Sequence, residues 1–186
     1  SQLPVDNDDT RAVVLGDLDA DGDLDLVACN YYQANRLYLN DGTGVFADVT
    51  GINLPVMIDA TTSVALGDVD GDSFTDIVIG TLYSQNRLLL NNGSSGPGLF
   101  TEVTAASLPA GTLPTQAVSL GDVDLDGDLD IVFANGVDGS SYCSAERNNL
   151  LLNDGMGLFT DVTATQMPVH FENSHAAVLG DVDGDG

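Results

Sequence analysis

The chain has 186 residues, of which 29 are acidic and four are basic, for a formal charge of -25 at neutral pH. Hydrophobic residues make up 43% and charged residues only 18%, which excludes a solvated acidic tail and predicts a folded chain with a sizeable core. The acidity excludes nucleic acid and anionic membrane surfaces as partners, since both need a basic patch that four arginines cannot supply, and it points towards cations.

In chain order, the first apolar segment is AVVLG, ending at Gly16, and it runs into the acidic stretch Asp17-Leu-Asp-Ala-Asp-Gly-Asp-Leu-Asp25. DLVAC and RLYLN follow as two further short apolar runs. Asn40-Asp41-Gly42 then signals a tight turn into FADVT, so the unit reads as four short antiparallel strands. The same order returns as SVALG, DIVIG, RLLLN, Asn91-Asn92-Gly93 and FTEVT, and again as AVSLG, DIVFA, NLLLN, Asn153-Asp154-Gly155 and FTDVT. A fourth copy opens with AAVLG and ends within its acidic cluster at Gly186.

The glycines that precede the clusters, Gly16, Gly67, Gly121 and Gly180, are 51, 54 and 59 residues apart. From Phe46, Phe100 or Phe159 to the next of these glycines is 21 residues every time. The variation sits in two places, the SSGPG stretch after Gly93 and an eight-residue insertion within Asn135 to Asn148, as loops of a stacked repeat permit. No stretch has sustained helical periodicity. Four-stranded units of about 50 residues that cannot bury both faces alone predict an all-β chain of β-propeller blades. A two-sheet sandwich is the alternative, disfavoured by the regular repetition. The expected repeats are 12–62, 63–116 and 117–175, with the start of a fourth at 176–186. Three blades and one strand do not close a ring of four to eight, so residues 1–186 are expected to be a partial propeller.

Seventeen of the 26 aspartates fall in the four clusters. Each complete cluster presents carboxylates at loop positions 1, 3, 5 and 9: Asp17, Asp19, Asp21 and Asp25; Asp68, Asp70, Asp72 and Asp76; Asp122, Asp124, Asp126 and Asp130. A backbone carbonyl at position 7, from Asp23, Phe74 or Asp128, and a water bring the oxygens to the six or seven that calcium accepts. Asp181, Asp183 and Asp185 begin a truncated fourth site. Magnesium demands a stricter octahedron, and zinc prefers nitrogen or sulfur. An EF-hand needs a glutamate at position 12, where this chain has Ala28, Ile79 and Phe133. At position 6 the second loop has Ser73 in place of glycine. If a left-handed backbone is needed there, serine costs on the order of 1 kcal/mol, and this loop is expected to bind calcium most weakly of the three.

The pattern of an apolar strand, GDxDxDGxxD, an apolar strand and NRLYLNDGxGxF resembles the FG-GAP and VCBS-type repeats of integrin α-subunit-like β-propellers and of many secreted bacterial proteins. The resemblance implies calcium in the loop between the first two strands of each blade, one ion per complete repeat. It also implies a secreted or cell-surface setting, with an extracellular protein or carbohydrate partner, in adhesion, in glycan binding or beside an enzyme. It places ligands on the end opposite the calcium loops, where Tyr31, Tyr32, Tyr83, Asp59, Asp138, Tyr142, Glu146 and Glu172 fall. Simple capping of the blade ends explains the tyrosines equally well, and the absence of tryptophan weakens the sugar-binding case.

The expected function is therefore a non-catalytic calcium-binding repeat module. The alternative is an accessory propeller of a secreted enzyme that degrades polysaccharide or cleaves lipid anchors. Aspartates that recur in every repeat behave as ligands rather than as one active site, and His170 and His175 occur only in the last connection. Cys29 and Cys143 are too few for a disulfide framework. No run of about 18 apolar residues predicts a membrane-spanning helix, and the first residues lack a signal-peptide pattern.

Overall fold

A computed structural model describes residues 3–136 and 146–180. Its strands form three four-stranded antiparallel sheets, each a meander in chain order. The first comprises β1 (Thr10–Gly16), β2 (Asp25–Asn30), β3 (Arg36–Asn40) and β4 (Phe46–Asp48). The second comprises β5 (Ala60–Gly67), β6 (Asp76–Leu82), β7 (Arg87–Asn91) and β8 (Phe100–Glu102). The third comprises β9 (Thr115–Gly121), β10 (Asp130–Asn135), β11 (Asn149–Asn153) and β12 (Phe159–Asp161). The expected β-propeller blades are therefore present. Their innermost strands β1, β5 and β9 lie side by side.

Register repeats with the sequence. Gly16, Gly67 and Gly121 pair with Asp25, Asp76 and Asp130, the ninth residues of the acidic loops. Asn40, Asn91 and Asn153 pair with Phe46, Phe100 and Phe159 across the tight hairpins. The SSGPG insertion forms a short 3-10 turn at Gly93–Ser95.

The core lies between blades rather than within them, because a single sheet has two faces to cover. Leu18, Val27, Leu37, Ile77, Ile79 and Phe100 pack where the first and second blades meet. Val69, Val78, Leu88, Ile131, Phe133 and Phe159 pack between the second and third. The middle strand β6 is buried at every residue, which explains its unbroken apolar run.

Two details differ from the sequence reading. The fourth strand is three residues long, because the threonine of each D/E-V-T leaves the ladder. Thr50, Thr104 and Thr163 accept the backbone N–H of Leu37, Leu88 and Leu150 at their hydroxyls and open the one-turn helices α1 (Thr50–Asn53), α2 (Thr104–Ser107) and α3 (Thr163–Gln166). The fourth apolar segment, 176–180, is not in a strand.

The glycine before each acidic loop has a packing cause. A Cβ on Gly16 would lie 2.6 Å from Leu66 Cδ1, one on Gly67 3.0 Å from Leu120 Cδ1, and one on Gly121 2.9 Å from Leu179 Cδ1. The leucine is always the residue before the next repeat's own glycine. The leucine tip of the successive inner strand, not an unusual backbone angle, occupies the space that a Cβ would need, so a larger residue there must push that side chain aside.

Candidate metal centre

Each acidic loop is built around its ninth residue. Asp25, Asp76 and Asp130 are 0% exposed, and each holds two backbone N–H groups. One oxygen of Asp25 accepts from Leu18 at 2.8 Å and the other from Asn40 at 2.9 Å. Asp76 holds Val69 and Asn91, and Asp130 holds Val123 and Asn153, all at 2.8 to 2.9 Å. The residue thus pins the start of the loop to the third strand of its blade and keeps further lone pairs for a cation.

Positions 1, 3 and 9 converge. Asp17, Asp19 and Asp25, then Asp68, Asp70 and Asp76, then Asp122, Asp124 and Asp130 bring one carboxylate oxygen each within 4.8 Å of the others. At that spacing two carboxylates repel by about 3 kcal/mol at an effective dielectric of 20. Burial, then neighbouring carboxylates, raise the pKa of Asp19. Burial comes first at Asp25 and Asp70 too, each raised against opposing backbone hydrogen bonds, while at the exposed Asp124 partial desolvation and then the neighbouring Asp126 and Asp130 act in the same direction. Burial pushes Asp76 up to about 7. Asp17 Oδ1 and Asp19 Oδ1 are buried without a hydrogen-bond donor. Buried acceptors without donors are rare in folded proteins, and a bound cation satisfies both at once. The donor set is all hard oxygen, which fits calcium or magnesium and not zinc.

The other loop positions shape the turn. Asp21, Asp72 and Asp126 accept the N–H of residues 23, 74 and 128 at 2.9 to 3.0 Å. The side chains of Asp23 and Asp128 lie against the hairpin glycines Gly42 and Gly155, as Asp72 and Phe74 do against Gly93. Asp181, Asp183 and Asp185 lie outside the described residues.

Backbone angles alter the expectation for the second loop. Position 6 is left-handed in all three, at Gly22, Ser73 and Gly127 with φ of 95°, 72° and 100°. Position 4 is left-handed as well, at Ala20, Gly71 and Leu125 with φ of 62°, 77° and 63°. Each loop therefore contains one glycine and one non-glycine in this conformation. The second loop exchanges the two positions and carries no extra strain, so Ser73 gives no reason for weaker binding there.

The FG-GAP-like repeat family matches residues 17–79 and 68–133, two overlapping copies that each run from an acidic loop into the strands of the next. The chain belongs to the FG-GAP-like repeat family. Among curated proteins it is similar to cartilage acidic protein 1 of Homo sapiens, 30% identical over 145 residues, which is 75% of this chain and 21% of that protein. The Mus musculus protein of the same name is 28% identical over 143 residues, or 75% and 21% of the two chains. The Xenopus tropicalis protein is 28% identical over 130 residues, or 67% and 19%. The chain thus spans about a fifth of the length of these relatives.

In this FG-GAP chain four of the six asparagines that bound the third-strand motifs link neighbouring blades, a role the sequence reading missed. Asn91 Nδ2 donates to the Leu18 carbonyl of the first blade, and Asn153 Nδ2 to the Val69 carbonyl of the second, both at 2.8 Å. At the opposite end Asn35 and Asn86 donate to Thr61 and Thr115 of the following blade. The available signal was a pair of polar residues recurring in phase at the ends of apolar strands.

The opposite end also carries Tyr32 and Tyr83, both exposed and both left-handed. The inner-strand bulges aim Arg11, Thr62 and Gln116 into a mouth of about 440 Å³ shared with Tyr31 and Leu82. Asp59 pairs with Arg87, and Glu146 bridges to Glu172. Asp138, Tyr142 and Cys143 lie outside the described residues. His170 is exposed, 3.9 Å from Glu172.

Proposed function

We propose that this FG-GAP chain is a calcium-binding, non-catalytic binding module of an extracellular protein, with the metal locking the loops between the first two strands of each blade. The observation that carries the reading is the convergence of positions 1, 3 and 9 in three loops, with two buried carboxylate oxygens lacking any donor in the first. Asp17, Asp19 and Asp25 would hold one ion, Asp68, Asp70 and Asp76 a second, and Asp122, Asp124 and Asp130 a third. Asp21, Asp72 and Asp126, with the carbonyls of Asp23, Phe74 and Asp128, complete the candidate set. Asp181, Asp183 and Asp185 would begin a fourth. Bound calcium supplies positive charge that cancels the repulsion within each loop.

Repeats 12–62, 63–116 and 117–175 are the proposed units, with 176–186 opening another. The extracellular assignment is supported by membership of the FG-GAP-like family and by the match of such oxygen-rich sites to millimolar calcium. The non-catalytic assignment is supported by the recurrence of the carboxylates in every blade and by the exposed setting of His170. Thermal unfolding of the chain in calcium and in chelator tests the metal role. A midpoint that rises with calcium is expected, since a ligand binding only the folded state stabilises it, and an unchanged midpoint refutes it.

A further inference from the structure

Repeats 1 and 2 contain an arginine clamp that repeat 3 lacks. In the first blade Arg36 Nε lies 2.8 Å from Asp8, in the segment leading into the blade, and Nη1 lies 3.4 Å from Asp48 on the outer strand. In the second, Arg87 makes the same pairs with Asp59 at 2.9 Å and Glu102 at 3.8 Å. By position within the repeat, the third blade has Asn149 for the arginine and Leu113 for the lead-in aspartate, and it keeps the outer carboxylate as Asp161. It also has Gly111 where the second blade has Met57, a buried side chain of the core.

These replacements leave a cavity of about 60 Å³ between the second and third blades, bounded by Gly111, Leu113, Phe133, Asn149, Leu151 and Asp161. Leu108, Leu113, Phe133 and Leu151 give it an apolar side suited to the stem of an arginine, the amides of Gln85, Asn86 and Asn149 give it a polar one, and its one charged lining residue is the carboxylate that in the other blades faces the guanidinium. Asp161 receives hydrogen bonds from the Thr163 N–H and the Asn149 amide, and no ion pair among the described residues includes it. The chain's arginines are committed elsewhere: Arg11 to Asp9, Arg36 and Arg87 to their clamps, and Arg147 to the carbonyls of Thr163 and Met167.

We propose that this cavity receives an arginine side chain of a partner protein, its guanidinium on Asp161 in place of the clamp that the first two repeats supply internally. The net charge of -25 favours a basic partner. A guanidinium suits the site better than an ammonium because it is planar and more weakly hydrated. The inference rests on the reading of the chain as a binding module and adds a site and a partner chemistry to it.

The test is an NMR titration of the calcium-supplemented chain with N-acetyl-arginine amide, against its neutral isostere N-acetyl-citrulline amide. Saturable shifts at Asn149 and Leu113 are expected, with a dissociation constant on the order of 1 mM, and the isostere should bind more weakly by about tenfold or more. Gly111→Met should abolish the shifts by filling the cavity as Met57 does. The substitution is permitted, since nothing lies within 4 Å of a Cβ there and the backbone is not left-handed. The surface change Asp161→Asn should weaken binding without touching the core, and it reports independently should the methionine variant misfold. Absence of saturable shifts, equal binding of the isostere, or full binding by either variant overturns the proposal. A calcium-raised unfolding midpoint in that same sample would leave the metal reading standing.

Discussion

The side-chain amide of Asn91 donates to the carbonyl of Leu18, 73 residues earlier and in the neighbouring blade, at 2.8 Å. Leu18 has its N–H held by Asp25 in its own blade, so one loop residue is fixed from two blades at once. Asn153 and Val69 repeat the arrangement one blade on. Val123, the corresponding residue of the third loop, is 38% exposed where Leu18 and Val69 are 1%, and among the described residues no further blade packs over it.

Asn91→Ala should therefore cost more than Asn40→Ala. The first leaves the buried Leu18 carbonyl without a donor, a loss of about 1–3 kcal/mol. Asn40 Nδ2 reaches only the Leu24 carbonyl of its own blade, in an exposed setting, and its loss should cost well under 1 kcal/mol. Urea denaturation of the two variants decides it, and equal costs would mean that the contact between blades adds nothing.

Positions 3 and 9 of a loop should separate by role. Asp76→Asn cannot accept both the Val69 and Asn91 N–H groups as a carboxylate does, a loss of about 1–3 kcal/mol. In chelator that loss should show in full near pH 3.8 and be increasingly offset as the pH rises to about 7, because burial raises the Asp76 pKa from 3.8 to about 7 and its ionisation then opposes folding. Asp19 has a pKa raised in the folded state by burial and by its neighbours, so at neutral pH its charge opposes folding when no cation is bound. Asp19→Asn should then stabilise the chain in chelator and reduce the gain on adding calcium. Unfolding midpoints with and without calcium measure both effects.

Left-handed strain should be shared equally among the loops. Ser73→Gly, Ala20→Gly and Leu125→Gly each relieve one left-handed non-glycine residue and should stabilise by similar amounts, about 0.5–1 kcal/mol after the added freedom of the unfolded chain. A gain confined to Ser73→Gly would restore the second loop as the strained one.

The inter-blade glycines should respond differently from a surface glycine. A Cβ on Gly67 meets Leu129 Cδ1 at 2.6 Å as well as Leu120, so Gly67→Ala should cost on the order of 1–3 kcal/mol. Gly51 lies in α1 with nothing near its Cβ, and Gly51→Ala should stabilise by about 0.5–1 kcal/mol. Thermal unfolding distinguishes the two signs.

Cys29 should be inert in the folded chain. It is a fully buried free thiol whose ionisation burial pushes up to about 12, whereas reaction requires the thiolate. In a Cys143→Ser background, a thiol reagent should label Cys29 only after denaturant is added; labelling of the folded chain at the rate of a free thiol would contradict its burial.

The blades were legible in the sequence because each strand is a short apolar run stopped by local chemistry, the acidic loop at one end and an Asn-Asp-Gly or Asn-Asn-Gly turn at the other. The acidic loops were legible for the same reason, since their spacing is contained within nine consecutive residues. Local pattern could not reveal that Asp25 holds a strand 15 residues away, that Asn91 reaches back a whole blade, or that Ala20 shares the left-handed geometry of Gly22.

By itself the amino-acid sequence determined the repeat, its four strands and the acidic loops, because periodicity, turn residues and charge spacing act over short distances along the chain. Only the tertiary structure decided what the recurring glycines and asparagines are for, and that the third blade has a cavity where two others have an arginine. Those outcomes depend on which side chains meet across separate blades. A gap left by Gly111, Leu113 and Asn149 exists only once two segments far apart in the chain are packed together.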